Sequence, residues 1–453
     1  MNPSQGDFPP DFLWGTATAA YQIEGATAAD GRKPSIWDRF AETPGKTFQG
    51  QTGRDACDHY HRYPEDVALM QRLGAGAYRF SVAWSRLFPD GDGRRNEAGF
   101  AFYDRLVDAL LSAGIQPWMT LYHWDLPQAL EDRFGSWAGR DTVHRFADYA
   151  AAVAAHFSDR VKHFITTNEF ENIVEWPHRN GSKAPGTLLP RKALNAARHN
   201  ILLGHGLAAQ AVRANAGAEV KVGIAESPRA CVPIMETEAH IAAARRACRL
   251  HGLHPHFLTP LFEGAYPAEF LEAEGADAPV FTDAEMRVIA TPLDFFGINN
   301  YSPTYIRAAD NALGFEALPH APAHPASHAG WQKLGPEAIY WAARMIHELW
   351  RPPALYVTEN GMCCDDQMNR NGEILDTDRL MYFRHSLGAV RRATAEGIPL
   401  KGFFAWSLLD NFEWSFGYSH RFGLVHVNFE SFERTPKLSF DYYREVIAAN
   451  RLL

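Results

Sequence analysis

The stretch "PALYVTENGM", residues 353–362, begins as apolar, β-branched chain and ends on an acid, Glu359. A short apolar run bounded by proline and glycine reads as a buried strand, and a carboxylate at its end must find partners or solvent. Seven more stretches share this character: "FLWGTAT" (12–18), "AYRFSVAW" (77–84), "IQPWMTLYHW" (115–124), "VKHFITTNE" (161–169), "VKVGIAES" (220–227), "LDFFGINNY" (293–301) and "KGFFAWSLLD" (401–410). Longer helical segments separate them, the alternation that produces βα units and a parallel sheet. About eight strands is the number that closes into a barrel. The chain is therefore expected to be α/β, a single (β/α)8 TIM barrel over residues 1–453 with long βα loops forming the rim.

The helical segments carry readable bounds. In "AGFAFYDRLVDALLSAG" (98–114), Phe102, Leu106, Leu110 and Leu111 recur at near-helical spacing and Gly114 can close the last turn. Asp141 is a natural N-cap for residues 141–159, and Asp376 and Gly397 bound the helix between them. The Pro-, Ala- and His-rich run 318–330 reads as a long surface loop, and no internal repeat or low-complexity linker divides the chain.

Composition excludes several classes of function. Hydrophobic residues make up 46% and charged ones 21%, enough for a large core and too apolar for a disordered chain. The formal charge of −9, with no Lys/Arg cluster to neutralise phosphates, argues against nucleic acid. No basic leader or run of 18 uncharged apolar residues is present, so neither secretion nor a membrane is expected, and the cytoplasm is. The five cysteines, Cys57, Cys231, Cys248, Cys363 and Cys364, contain no CxxC pair and read as free thiols. His251, His254 and His256 lack a known ligand spacing, so no metal and no cofactor is expected. His59 and His61 read as surface residues at a helix start.

A barrel of this kind carries its site at the C-terminal strand ends, and here those ends agree with one another. Gln22 and Glu24 follow the first strand, His123 and Trp124 end the third, Asn168 and Glu169 the fourth, Asn299 and Tyr301 the sixth, Glu359 the seventh and Trp406 the eighth. Carboxylates, amides, an imidazole and indoles on one rim suit a neutral, hydroxyl-rich ligand. Glu169 and Glu359 would face one cavity from different walls. Two such carboxylates suit glycoside hydrolysis, one as acid and the other as nucleophile or base. Glu24 reads instead as a brace for the first strand.

The stretches "FLWGTATAAYQIEG" (12–25), "YRFSVAWSRLFPDG" (78–91), "LYHWDLPQAL" (121–130), "TTNE" (166–169), "GINNYS" (297–302), "YVTENG" (356–361) and "WSLLDNFEWSFGYSHRFGL" (406–424) resemble glycoside hydrolase family 1, the β-glucosidase family, in order and over nearly the whole chain. The resemblance implies a barrel that cleaves β-glycosides with retention, taking a small-molecule β-glycoside as its partner. It assigns Glu169 as acid/base and Glu359 as nucleophile. Gln22, His123, Trp124, Asn168, Asn299, Glu413, Trp414 and Phe422 would form the substrate site around the platform Trp406, and Arg79 and Tyr301 would steady the nucleophile. A hydrogen bond from Tyr301 and the Arg79 charge both favour an ionised Glu359, while Asn168 would offer the acid a neutral partner.

Two departures stand out. Phe170 occupies the place after the acid/base where the family usually has proline, and Asn300 that of the first of two tyrosines. Both concern the leaving-group side. The acid Glu413 would repel a 6-phosphate, favouring an unphosphorylated sugar. Glu169 in place of glutamine argues against thioglucosides, and retention of both carboxylates argues against a non-catalytic sugar-binding barrel. β-Galactoside or β-fucoside preference stays open. Residues 170–181, "FENIVEWPHRNG", offer Glu171, Asn172, Glu175, His178, Arg179 and Asn180 around Phe170 and Trp176. Any that face the cleft favour a sugar leaving group over an alkyl one.

Overall fold

The computed structural model describes residues 7–453. Eight parallel strands close into a barrel: β1 (Leu13–Ala17), β2 (Ala77–Ser81), β3 (Gln116–Tyr122), β4 (His163–Asn168), β5 (Lys221–Glu226), β6 (Phe295–Asn299), β7 (Leu355–Asn360) and β8 (Leu400–Trp406). Each pairs with its neighbours in chain order, and β8 returns to β1 with Leu13 opposite Gly402 and Ala17 opposite Trp406. Every strand overlaps a stretch marked in the sequence, and seven lie wholly within theirs. The eighth starts one residue earlier, at Leu400, and stops at Trp406, because the apolar residues Leu408 and Leu409 are buried outside the ladder.

Aromatic side chains fill the barrel below the rim. Trp118 of β3 stands 5.1 Å from Phe295 of β6, 4.8 Å from Tyr356 of β7 and 5.1 Å from Phe404 of β8, ring centre to ring centre. Such rings need small neighbours: a Cβ at Gly223 would come within 2.4 Å of the Phe295 ring. This apolar plug leaves the C-terminal strand ends as the place where buried polar side chains collect.

Helices Glu97–Ser112, Arg140–Phe157 and Thr377–Ala395 occupy the segments read as helical, and Gly114 and Gly397 take the left-handed conformation after the first and last of them. The second begins earlier than read, with Gly139 as its N-cap and Asp141 inside the first turn, where the helix dipole favours it. The long loops build structure of their own that is too short to read from periodicity. Ala230–Pro233, Pro303–Ala308 and Phe315–Ala317 form one small sheet, and Val425–Val427 with Arg434–Pro436 another.

His59 corrects a sequence expectation: it is buried, its Nδ1 2.7 Å from Asp66 Oδ2, and only His61 is exposed. All five cysteines are buried and free. Among the described residues no helix is long and apolar enough to cross a membrane.

Candidate active site

A cavity of about 620 Å³ opens where the strands end, and His123, Trp124, Glu169, Tyr301, Glu359 and Trp406 line it. Glu413, Trp414 and Phe422, from the loop after β8, complete its inner wall. Gln22, Arg79, Asn168 and Asn299 stand behind that wall and act on it through hydrogen bonds. Three non-glycine residues at the cavity, Trp124, Glu169 and Trp414, hold positive φ of 77°, 53° and 54°. Such backbone costs about 1–3 kcal/mol each and persists only where its surroundings enforce it.

The two carboxyl groups belong to one hydrogen-bonded chain. Arg79 donates from one guanidinium nitrogen to Glu359 Oε1 at 2.7 Å and from the other to Asn168 Oδ1 at 2.5 Å. Asn299, which lies opposite Glu359 in the β6–β7 register, donates to Asn168 Oδ1 at 2.9 Å and to Glu169 Oε1 at 2.7 Å. Tyr301 donates to Glu359 Oε2 at 2.8 Å. Asn168 therefore does not touch Glu169, contrary to expectation, because its oxygen is taken up by two donors. Asn299 and Asn172 are the hydrogen-bond partners of the Glu169 carboxyl instead.

Glu359 is 4% exposed, and burial pushes its carboxyl up to about 7. Arg79 and the Tyr301 hydrogen bond pull it down, as foreseen, while the like charge of Glu169 adds to the rise. Burial is the largest of these effects. A Cβ at Gly361, two residues on, would meet the Trp406 carbonyl oxygen at 1.8 Å, so the chain after β7 needs glycine to pass β8.

On the inner side, Gln22 donates to Glu413 Oε2 at 3.0 Å and to Asn411 Oδ1 at 2.9 Å, and its own buried oxygen has no partner in the protein. Burial raises Glu413 to about 8, opposed first by Lys183. The two donors on Asn168 Oδ1 turn its amide nitrogen toward His123 Nε2, 3.1 Å away. That contact makes Nε2 the acceptor, leaving the proton on Nδ1, a buried donor without a protein partner. The His123 ring is near-parallel to both Trp406 and Trp414, at interplanar angles of 23° and 20° and centre distances of 5.8 and 5.9 Å. Unpaired polar atoms beside flat indole faces fit a sugar ring. Glu24 is held by Arg86 at 3.0 Å and Tyr103 at 2.5 Å, away from this pocket.

The outer side is where the sequence reading was partial. Phe170 is fully buried against Phe257, while Glu171, Asn172 and Trp176 line the cavity. Glu175 pairs with Arg198, His178 lies under the loop with Nδ1 2.7 Å from the Thr187 carbonyl, and the Arg179 side chain is 69% exposed. Asn300 also lines the cavity. Lys183, Arg229, Trp331 and Lys333 were missed. Lys183, Trp331 and Lys333 lie on loops away from the strand ends, Arg229 lies three residues past β5 in a stretch where only strand-end residues were weighed, and the sequence nearness of Lys183 to residues 170–181 was the one hint. Of the histidine cluster, His254 engages the Cys248 carbonyl through Nδ1 and the Arg229 N–H through Nε2, at 2.6 and 2.8 Å, which is a bracing role.

Comparison with known proteins agrees with this geometry. The model of glycosyl hydrolase family 1 matches residues 4–452. A β-glucosidase from an Agrobacterium species is 44% identical over 441 residues, covering 96% of this chain and 94% of its own. A bifunctional β-D-glucosidase/β-D-fucosidase of Bifidobacterium breve is 42% identical, over 97% of this chain and 98% of its own. The solved family 1 β-glucosidase of Thermotoga maritima superposes with a TM-score of 0.90 at 40% identity, over 99% of both chains. The same enzyme has been solved with castanospermine and with deoxynojirimycin.

Proposed function

The chain belongs to glycosyl hydrolase family 1, and from that premise we propose that it is a retaining β-glucosidase releasing terminal, non-reducing β-D-glucosyl residues from unphosphorylated β-glucosides or short β-gluco-oligosaccharides. The observation that carries the reading is that Glu169 and Glu359 share one cavity and one hydrogen-bonded chain. Glu359 attacks the anomeric carbon and Glu169 protonates the departing oxygen. Glu169, now a carboxylate, then takes a proton from water, which releases glucose from Glu359. Arg79 and Tyr301 aim the nucleophile. Gln22, His123, Trp124, Asn168, Asn299, Glu413, Trp414 and Phe422 form or support the glucosyl site, with Trp406 as its floor. The family match over residues 4–452 supports reading the chain as one catalytic domain, and five buried free thiols support a cytoplasmic setting.

The polar outer wall of Glu171, Asn172 and Arg229 beside Trp176 supports a sugar as leaving group. Asn172 is taken up by Glu169 and Lys183, and Glu171 and Arg229 meet each other through one oxygen and one nitrogen. The cost of an alkyl chain is therefore that it strips water from the remaining polar atoms of Glu171 and Arg229 without replacing it, at about 1–3 kcal/mol each. The Bifidobacterium relative supports a second activity on β-fucosides. The test is hydrolysis of β-glucobioses, octyl β-glucoside and aryl β-glucosides and β-fucosides, with the first-formed anomer read by NMR. Retained configuration and higher kcat/KM on glucobioses than on octyl glucoside are expected. An inverted anomer, or no turnover of any glucoside, overturns the reading.

A further inference from the structure

We propose that Asn172 and Lys183 form a positioning pair that holds Glu169 in its proton-donating geometry; the inference rests on the role given to Glu169 above. Glu169 sits at the start of helix Phe170–Glu175 with φ of 53°, so neighbours must hold the turn it stands on. Contacts from other elements do so residue by residue. Glu169 N–H donates to the Ala225 carbonyl at 2.9 Å, Phe170 N–H to Glu226 Oε1 at 2.9 Å, and Arg229 to Glu171 Oε1 at 2.5 Å. Proline, the usual family residue at 170, has no N–H to offer Glu226.

The side chain itself is oriented through Asn172. The Asn172 amide nitrogen donates to Glu169 Oε2, and its oxygen accepts from Lys183 Nζ at 2.5 Å. An amide turned by 180° would aim oxygen at the carboxylate. Lys183 prevents that turn, because an ammonium group has donors and no acceptor. Asn299, on the other carboxyl oxygen, is locked by a different contact: its nitrogen, which faces Glu169 Oε1, also donates to Asn168 Oδ1, an oxygen that Arg79 holds in place, while Thr358 Oγ1 donates to its oxygen at 2.7 Å. Both oxygens of Glu169 thus meet amide donors that cannot reverse. The carboxylate left after proton transfer is received by two fixed N–H groups, and the proton is directed along the lone pairs that remain. Lys183 lies 4.2 Å from the Trp124 ring centre, which keeps its ammonium over the cavity wall.

The chemistry predicts which substrates suffer. When the leaving group is poor, proton donation by Glu169 limits the step, and it contributes about 10²–10⁴-fold. When the leaving group is dinitrophenolate, no proton is needed. Asn172→Val and Lys183→Met should therefore lower kcat/KM by about 10- to 100-fold on cellobiose and on phenyl glucosides of high phenol pKa, and by less than about threefold on dinitrophenyl glucoside. Lys183→Arg, which keeps a donor, should restore most of the loss.

The experiment measures kcat/KM over aryl β-glucosides of equal size and differing leaving-group pKa, in the parent protein and in Asn172→Val, Lys183→Met and Lys183→Arg, alone and with Glu169→Ala. A steeper leaving-group dependence in Asn172→Val and Lys183→Met, absent once Glu169 is alanine, is expected. A loss uniform across leaving groups, or one that persists beside Glu169→Ala, means the pair contacts the aglycone or the fold and overturns the proposal. If Glu169→Ala alone shows no leaving-group dependence, the role of Glu169 falls first, and the two failures are told apart.

Discussion

Glu359, the proposed nucleophile, is acted on by opposing influences. Its carboxyl is raised to about 7 by burial, with Arg79 and Tyr301 opposing the rise. Because a nucleophile acts as carboxylate, kcat/KM should fall as pH drops below about 7 in the free enzyme. Tyr301→Phe removes a hydrogen bond that favours the charged form, so this acid limb should move to higher pH, by a few tenths of a unit to about one. A pH profile on an aryl β-glucoside checks the sign, and a limb that moves down would refute the account. Glu359→Gln should abolish turnover on every substrate. Glu169→Ala should spare activated aryl glucosides in the first step, and added azide should speed the second. Azide rescue of neither variant would exchange or void the roles.

At the scale of elements, a buried ion network underlies the segment that carries the cavity's inner wall. Lys437 Nζ, inaccessible to solvent, reaches Asp366 Oδ2 at 2.5 Å and Asp410 Oδ1 at 2.6 Å. Arg379, on helix Thr377–Ala395, joins Asp366 to Asp376, and Arg421 holds Asp410 at 2.6 Å. The network thereby ties the chains after β7 and β8 to the helices that follow them, and Asp410 begins the segment that carries Glu413 and Trp414. Lys437→Met takes one cation from two buried carboxylates, leaving Asp366 to Arg379 and Asp410 to Arg421, and removing a partner from a buried charge costs up to about 3–5 kcal/mol. Denaturant unfolding should show that loss, with KM for aryl glucosides rising as the loop shifts. Stability unchanged within about 1 kcal/mol would remove the network from the account. None of this was legible beforehand. Lys437, Asp366 and Asp410 lie far apart in sequence, and only the fold brings their charges together.

For the whole molecule, opposing titrations define where stability peaks. Burial raises Glu359 to about 7 and Glu413 and Asp125 to about 8. These groups hold protons more tightly when folded, so each adds stability as pH falls from about 8 toward the ordinary carboxyl range. Burial has the reverse effect on His163 and His199, lowered to about 4, and on His205, His254 and His256, lowered to about 3. These must charge on unfolding below about 6.5, so stability is lost as pH falls through that range. Tm should therefore rise on going from pH 8.5 to about 6.5 and decline below about 6. Glu413→Gln should flatten the alkaline side, and a Tm that climbs steadily to pH 9 would count against the raised carboxyls.

The sequence alone determined the barrel, its eight strands and the two carboxylates that end β4 and β7, because strand burial imposes apolar runs whose polar ends are conspicuous. It also yielded Tyr301, Arg79 and Trp406 through the family resemblance, since those motifs lie on or next to strands. Tertiary structure alone decided who meets whom across loops. It set Asn299 and Asn172 rather than Asn168 against Glu169, buried His59 on Asp66, turned Arg179 outward and brought Lys183, Arg229, Trp331 and Lys333 to the cavity. The physical reason is that loop residues carry no periodicity: their direction is set by backbone turns and by hydrogen bonds to partners distant in the chain. The balance of effects on Glu359 belongs to the same class, because charge and hydrogen bonding can be named from neighbours in a motif, whereas burial is a property of everything packed around them.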